Sequence, residues 1–116
     1  MAAALQLALD FINLDQALRA ARAGLEGGVD WLEAGTPLIK SEGLDAVRAL
    51  RREFPDATIV ADMKVMDAGR IETECAAQAG ADIVHVLAAA SDATIAECVE
   101  AGRRYGARIC VDLLGL

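Results

Sequence analysis

The feature that most constrains the fold of this chain is a repeat of short apolar segments separated by helical patterns. The segments begin near Leu5, Val29, Thr58, Asp82 and Arg108, about 25 residues apart, the length of one strand plus one helix. Each segment is a continuous apolar run, which indicates a strand of a parallel sheet covered by helices. The repeat therefore predicts an α/β fold with five parallel strands.

The segments between the strands carry apolar residues at helical spacing. Ser41 and Asp92 suit N-caps, Pro55 suits the end of the second helix, and Gly80 and Gly106 stand where C-terminal glycines belong. The sequence predicts four helices, on these apolar positions: Leu14, Leu18, Ala21 and Leu25; Leu44, Val47, Leu50 and Phe54; Ile71, Cys75 and Ala79; Ile95, Cys98, Val99 and Gly102.

Four of the five strands end in a carboxylate that directly follows the last apolar residue: Asp10, Glu33, Asp62 and Asp112. A doubly wound sheet carries ligands on a few loops at a switch point, whereas a TIM-type barrel collects functional residues from many strand ends at one rim. We therefore predict (β/α) units of a TIM-type barrel. Residues 1–116 would form one partial barrel domain, incomplete at its C-terminus, with open edges at the first and fifth strands.

The run Asp-Met-Lys-Val-Met-Asp holds the densest group of charged side chains at these strand ends. Asp62 and Lys64 should point to the same side of the strand because side chains alternate, and Asp67 follows on the loop. Carboxylates that converge at one rim repel one another unless a cation lies among them, which predicts a metal site. A weak ion pair at a strand end is the simpler alternative.

Charge and hydropathy exclude several classes of partner. A net charge of −7 argues against nucleic acid and anionic membranes, both of which require a basic surface. No apolar run approaches the roughly 20 residues needed to cross a bilayer. Cys75, Cys98 and Cys110 are an odd number without CxxC spacing, so we predict buried free thiols in a reducing cytosol.

Four segments carry a resemblance to a known family: Ala8-Leu9-Asp10, Leu32-Glu33-Ala34-Gly35-Thr36-Pro37, Asp62-Met63-Lys64-Val65-Met66-Asp67-Ala68-Gly69 and Ala79-Gly80-Ala81-Asp82. The chain resembles the amino-terminal half of the 3-hexulose-6-phosphate synthases, aldehyde-lyases of the orotidine-5′-monophosphate decarboxylase suprafamily. The sister branch of 3-keto-L-gulonate-6-phosphate decarboxylases has a glutamate where this chain has Asp112. Asp112 and Thr36-Pro37 therefore favour the synthase branch.

The resemblance implies a Mg²⁺-dependent aldol condensation of formaldehyde with ribulose 5-phosphate. By resemblance, Glu33 and Asp62 bind the Mg²⁺, and Lys64 supplies a positive charge beside the reacting oxygens. Asp10 and Asp112 would bind sugar hydroxyls or metal-bound water. Oxygen ligands of this kind are those that Mg²⁺ prefers.

Other residues receive different predictions. By resemblance, Asp67 reaches into the site of a neighbouring subunit, which implies a homodimer, while the family's catalytic base and phosphate-binding loops lie beyond Leu116. His85 is predicted to point outward toward the helices as a structural histidine. Trp31 should face the barrel interior, and a charged run is predicted to be solvated: Arg48, Arg51, Arg52 and Glu53. A non-catalytic half-barrel that self-associates remains an alternative.

Overall fold

The computed structural model describes residues 2–116, so that only Met1 of the predicted domain lies outside the described residues. Its strands are β1 (Gln6–Leu9), β2 (Trp31–Ala34), β3 (Thr58–Val65), β4 (Ile83–Leu87) and β5 (Arg108–Asp112). Its helices are α1 (Leu14–Glu26), α2 (Thr36–Glu42), α3 (Asp45–Glu53), α4 (Gly69–Ala79) and α5 (Asp92–Tyr105). Within this part of the chain, no helix has the length and apolar character required to cross a lipid bilayer.

The five predicted strands are confirmed, but the chain has five helices instead of the predicted four. The additional helix is α2, a segment of 7 residues with Pro37 in its first turn. Gly43, at φ 67°, ends α2 in the left-handed region, where glycine has no steric penalty. Ser41 is therefore not the predicted N-cap: it lies inside α2, and its hydroxyl donates to the carbonyl of Ile12 over 2.7 Å.

The remaining helix ends lie close to the predicted ones. Gly80 and Gly106 follow α4 and α5 with φ of 119° and 79°, the left-handed conformation that favours glycine after a last helical turn. Asp92 is the first residue of α5, and the N-cap is its neighbour Ser91, whose Oγ accepts from the amide of Thr94 over 3.1 Å.

The strand order in the sheet is the same as the order along the chain, β1-β2-β3-β4-β5, and every pair is parallel. Because right-handed crossovers that all advance in one direction place their helices on one face, this topology is that of a barrel and not of a doubly wound sheet. The helix-facing side buries alternate residues of the three central strands: Leu32, Ala34, Ile59, Ala61, Val84 and Val86.

The opposite side of the sheet, here called the inner face, carries the other half of the strand residues. Trp31 and Glu33 are half-buried there, between the fully buried Leu32 and Ala34 of the same strand. The guanidinium of Arg108 on β5 lies 5.7 Å from the centre of the Trp31 ring on β2. This cation–π contact joins two strands that are not neighbours, so Trp31 faces the interior, as predicted.

Arg51 on α3 does not belong to a solvated charged face, so that part of the prediction is wrong. Arg48, Arg52 and Glu53 are exposed, but Arg51 is half-buried where β3 and β4 begin. Its guanidinium donates to four groups: the carbonyls of Pro55, Ala57 and Gly80 and the carboxylate of Asp82. Arg51 thus holds the loops that enter β3 and β4.

The three cysteines are free thiols, as predicted, but they are not all buried. Cys98 is fully buried in α5, and burial raises the pKa of its thiol. Cys75 and Cys110 are exposed. Cys75 lies on a helix face that the apolar spacing alone assigned to the core.

Candidate functional site

The carboxyl end of β3 departs from regular strand geometry at the predicted charged cluster. Ala61 pairs with Val84 and Val65 pairs with Val86, so β3 uses four residues where β4 uses two. The extra residues of β3 form a bulge. Within this bulge Lys64 has φ 47°, and it is the one non-glycine residue with positive φ in residues 2–116. Such a conformation costs on the order of 1–3 kcal/mol and is typical of functional sites. The strain lies at the residue that the sequence singled out.

Lys64 forms the centre of an ion-pair cluster on the inner face. Its Nζ lies 3.1 Å and 3.0 Å from the two carboxylate oxygens of Asp62 and 2.9 Å from Oδ2 of Asp112. Asp62 and Lys64 therefore point to the same side of the strand, as predicted. Asp112 comes from β5, two strands away, so the cluster exists only in the folded sheet.

The electrostatics of this cluster favour the charged forms of Lys64 and Asp112. Burial by itself would lower the pKa of Lys64, but the hydrogen bonds with Asp112 and Asp62 outweigh it and raise that pKa. The pKa of Asp112 is lowered, chiefly by the hydrogen bond from Lys64 and then by the amide of Leu114, which donates over 2.9 Å. The cluster is a network of charge-assisted hydrogen bonds.

His85 is part of this cluster, which corrects the prediction that it points outward toward the helices. Its Nδ1 lies 3.3 Å from Oδ1 of Asp62, and its side chain is 15% exposed. The prediction took Val86 as the inward-facing strand end, but Val86 is fully buried against the helices. Because side chains alternate along a strand, His85 then faces inward. It stands one residue beyond the Ala61–Val84 pair, directly beside Asp62.

Glu33 lies on the neighbouring strand β2 and accepts a hydrogen bond of 2.6 Å from Nε2 of Gln6. Burial raises the pKa of Glu33; the bond from Gln6 opposes this, and the negative charges of Asp62 and Asp10 add to it. Sequence reasoning missed Gln6, although a glutamine inside an otherwise apolar strand, in step with Asp10, was a usable signal. The surroundings of Glu33 thus disfavour its negatively charged form.

Asp10 occupies space that a missing side chain provides. A Cβ atom at Gly35 would come within 2.0 Å of Oδ1 of Asp10 and 2.9 Å of the carbonyl of Leu9. The glycine of the Glu-Ala-Gly-Thr-Pro segment therefore lets the carboxylate of Asp10, which is exposed, lie against the end of β2.

Thr36 supports the bulge from the first residue of α2. Its hydroxyl donates to the carbonyl of Asp62 over 2.8 Å. The paired positions of β2 and β3 end at Ala34 and Ala61, and the hydroxyl of Thr36 supplies a donor to the next carbonyl of β3. The sequence marked Thr36 only through the resemblance, without a structural role.

Asp67 is exposed on the loop between β3 and α4. Its backbone carbonyl accepts a hydrogen bond of 3.1 Å from the hydroxyl of Thr94, which fixes the loop against α5. In the described part of the single chain, no hydrogen bond or ion pair joins its carboxylate to Lys64, Asp62 or Asp112. The structure therefore gathers the predicted site residues except Asp67, whose predicted place is another subunit.

Comparison with known proteins identifies the class. A model of the orotidine 5′-phosphate decarboxylase / HUMPS family matches residues 3–115, and the chain belongs to this family. The chain is similar to 3-hexulose-6-phosphate synthases, with 45% identity over 112 residues to that of Mycobacterium gastri and 42% to that of Bacillus subtilis. These alignments cover 97% of this chain and 54% and 53% of the relatives, so the chain spans about half the length of the curated relatives it matches.

Solved structures agree with this assignment. A crystal structure of 3-hexulose-6-phosphate synthase superposes with a TM-score of 0.95 at 45% identity, covering 98% of this chain and 55% of that one. A 3-keto-L-gulonate-6-phosphate decarboxylase from Vibrio cholerae superposes with a TM-score of 0.88 at 40% identity, covering 93% and 50%. The predicted resemblance to the amino-terminal half of the synthases and the predicted barrel-type fold are confirmed.

Proposed function

We propose that this chain supplies one half of the active site of a 3-hexulose-6-phosphate synthase, an aldehyde-lyase that joins formaldehyde to ribulose 5-phosphate. The observation that carries the proposal is the position of Lys64 between Asp62 and Asp112 on the inner face, at a strained strand end. The similarity to synthases over nearly the whole chain supports it. The activity requires groups from the other half of a barrel as well.

The residues present fit a hard divalent cation. Glu33 and Asp62 lie on neighbouring strands, and their mutual repulsion contributes to the raised pKa of Glu33. A divalent ion between them would relieve this repulsion, and Mg²⁺ usually takes one or two carboxylates. When bound, Mg²⁺ would stabilise negative charge that develops on the substrate oxygens.

The chain's own residues would do the remaining work at these oxygens. The ammonium of Lys64, held charged by its two carboxylate partners, would stabilise the negative charge that follows proton loss from C1 of the sugar phosphate. Asp10 and Asp112 would accept hydrogen bonds from sugar hydroxyls. The hydrogen bond from Thr36 to the carbonyl of Asp62 would keep the strand end in the geometry that aims Lys64.

Asp67 would act across a subunit interface. Its loop is tied to α5 through Thr94, yet its carboxylate is exposed. A homodimer in which Asp67 reaches the partner's site accounts for an exposed acid on a fixed loop. Light scattering at micromolar concentration tests this: a stable monomer would contradict the intersubunit role. The free thiols fit a reducing compartment such as the cytoplasm.

A 3-keto-L-gulonate-6-phosphate decarboxylase is the second candidate, because structures of that enzyme superpose almost as well. Both reactions would need stabilisation of negative charge by the same ammonium. The aspartate at position 112, shorter than the glutamate of the decarboxylase branch, favours the synthase. A half-barrel without catalytic activity would show neither reaction.

The test combines this chain with the carboxyl-terminal half of the M. gastri synthase. We expect consumption of ribulose 5-phosphate and formaldehyde by the mixture and little by either part, since a lost base alone removes about 10²–10⁴ in rate. Lys64→Met should remove most of the restored activity, while Lys40→Met, on the exposed side of α2, should not. Release of CO₂ from 3-keto-L-gulonate 6-phosphate in place of the condensation would favour the decarboxylase.

A further inference from the structure

The fifth strand leaves one edge of the sheet open. In residues 2–116, β5 pairs with β4 alone. Its register is regular, it contains no proline, and Arg108, Cys110 and Val111 are exposed. A regular, exposed edge of this kind is a template for another strand. At the opposite edge of the sheet, β1 exposes only Ala8 and ends in the fully buried Leu9, so β5 is the more accessible of the two edges.

The backbone of β5 determines which residues can pair across this open edge. The amide of Arg108 and the carbonyl of Asp112 both form hydrogen bonds with residues that flank β4, over 2.9 Å and 2.8 Å. The amide and carbonyl of one residue point to the same side of a strand, and successive residues alternate between the two sides. Ile109 and Val111 therefore turn their N–H and C=O groups to the open edge.

The sequence of β5 is complementary to itself when two copies run antiparallel. Arg-Ile-Cys-Val-Asp has a basic residue at one end, an acidic residue at the other and Cys110 in the middle. If Cys110 lies opposite the partner's Cys110, Ile109 forms the hydrogen-bonded pairs with the partner's Val111. Arg108 then faces the partner's Asp112, a pair of opposite charges. A two-fold axis through Cys110 relates the copies, which is the commonest symmetry of homo-oligomers.

The charges at the two ends of β5 are available for such pairs. Arg108 forms no ion pair within residues 2–116, and its exposed guanidinium contacts the Trp31 ring, a weak interaction that a carboxylate can replace. The carboxylate of Asp112 accepts from Lys64 and from the amide of Leu114, and it retains capacity because a carboxylate has about four acceptor positions. A register shifted by two residues would leave both charges unpaired across the interface.

We propose that β5 is a docking strand for a second copy of this chain, which pairs antiparallel along the open edge with Cys110 on the two-fold axis. The proposal does not rest on the proposed function and uses a different segment from the Asp67 loop. The same edge would receive the next strand of a barrel, so self-pairing and completion of the proposed active site exclude each other. Exposed apolar residues often mark interaction sites, and three follow β5 directly: Leu113, Leu114 and Leu116.

Disulfide formation at Cys110 tests the register. Antiparallel partners outside the hydrogen-bonded positions have Cα atoms about 4.5 Å apart, within the range of about 4.4–6.8 Å that a disulfide requires. Diamide serves as the oxidant and takes up the two protons and two electrons that the thiols lose. We expect the parent chain and Cys75→Ser to form a linked dimer, and Cys110→Ser to form less than about a tenth as much. Cys75 is the matched control, since it is also an exposed free thiol. Equal linkage through both thiols, or none through Cys110, would overturn the proposal.

The charge at position 108 tests the pairing independently of the thiols. Sedimentation velocity under reducing conditions gives the Kd of self-association. Arg108→Asp places like charges opposite each other at both ends of the interface and should raise this Kd by about tenfold or more, whereas Arg108→Lys should retain it. Arg103→Asp makes the same change of charge at an exposed position of α5 and should have no effect. Equal Kd values for Arg108→Asp and Arg103→Asp, or a parent chain that stays monomeric, would overturn the proposal.

Far-ultraviolet circular dichroism checks that each variant folds. Should Arg108→Asp fail to fold, linkage at Cys110 in the parent chain still decides. The carboxyl-terminal half of the M. gastri synthase should suppress this linkage, since its first strand would pair with the same edge. Unchanged linkage in a mixture with restored synthase activity would overturn the proposal. An inactive mixture in which Cys110 still links two copies would instead refute the proposed function alone.

Discussion

Replacement of Arg51 by methionine tests whether the folded chain depends on a single guanidinium where β3 and β4 begin. Arg51 donates to the carbonyl of Gly80 over 2.9 Å, to that of Ala57 over 2.8 Å and to that of Pro55 over 2.9 Å, and it pairs with Asp82. Asp82 in turn accepts from the amide of Ile59 over 2.8 Å. Methionine keeps the aliphatic packing of the side chain but removes every one of these donors.

The expected loss follows from burial and from the number of groups left without a partner. Hydrogen bonds of charged groups contribute about 1.5–3 kcal/mol each, and breaking a fully buried ion pair costs about 3–5 kcal/mol. The side chains here are 28% and 43% exposed, so water replaces part of the lost interactions. We therefore expect Arg51→Met to lower the free energy of unfolding by roughly 2–4 kcal/mol.

The matched control lies one helical turn earlier on the same helix. Arg48 pairs with Asp45, but their side chains are 54% and 79% exposed. Arg48→Met should cost no more than about 0.5 kcal/mol, because exposed ion pairs contribute little. Urea denaturation followed by the fluorescence of Trp31, at one fixed protein concentration, measures both variants. Equal losses in the two variants would refute the assigned role of Arg51.

Three further substitutions address the site. Glu33→Gln should raise the free energy of unfolding at neutral pH without metal, because burial disfavours the carboxylate charge. Since folding raises the pKa of Glu33, the gain should vanish as the pH falls below the pKa of a glutamate in the unfolded chain. Urea denaturation at several acidic pH values would check this. Thr36→Val should cost about 1 kcal/mol by leaving the bulge carbonyl without its donor, and should reduce restored synthase activity in the two-part assay. Gly35→Ala should displace Asp10 and lower the free energy of unfolding by about 1–3 kcal/mol. The control Gly27→Ala, whose Cβ would meet no atom nearer than 3.4 Å, should be nearly neutral. Comparable melting curves for the two variants would contradict the close approach at Gly35.

The sequence was sufficient to predict the five strands and the side of the sheet that carries the acids. Both follow from local rules: the length of a strand–helix unit and the alternation of side chains along a strand. Asp62, Lys64 and Asp112 met as expected because parallel strands end at one rim. The four sequence segments that resemble the synthases predicted membership of that group, and the comparisons confirm the similarity.

The orientation of His85 was not accessible by the same rules. Apolar residues continue on both sides of it, so the end of β4 could be set at Val86 or at Leu87, and a one-residue change reverses every side chain. Only pairing with β3 and β5 settles the choice. The partners of Arg51 and the bulge at Lys64 likewise arise from contacts between distant segments, which no local pattern records.

The identity of sheet order and chain order has a consequence for how the chain folds as it is synthesised. Each strand after the first pairs with the strand that left the ribosome just before it, so no strand must wait for a later one to be inserted beside it. Each added strand then closes a loop of only one strand–helix unit, so the entropy lost in each step is small and the barrier to each addition stays low. The same order means that a growing chain always presents an unpaired edge at its newest strand, and that edge is the template for the next unit.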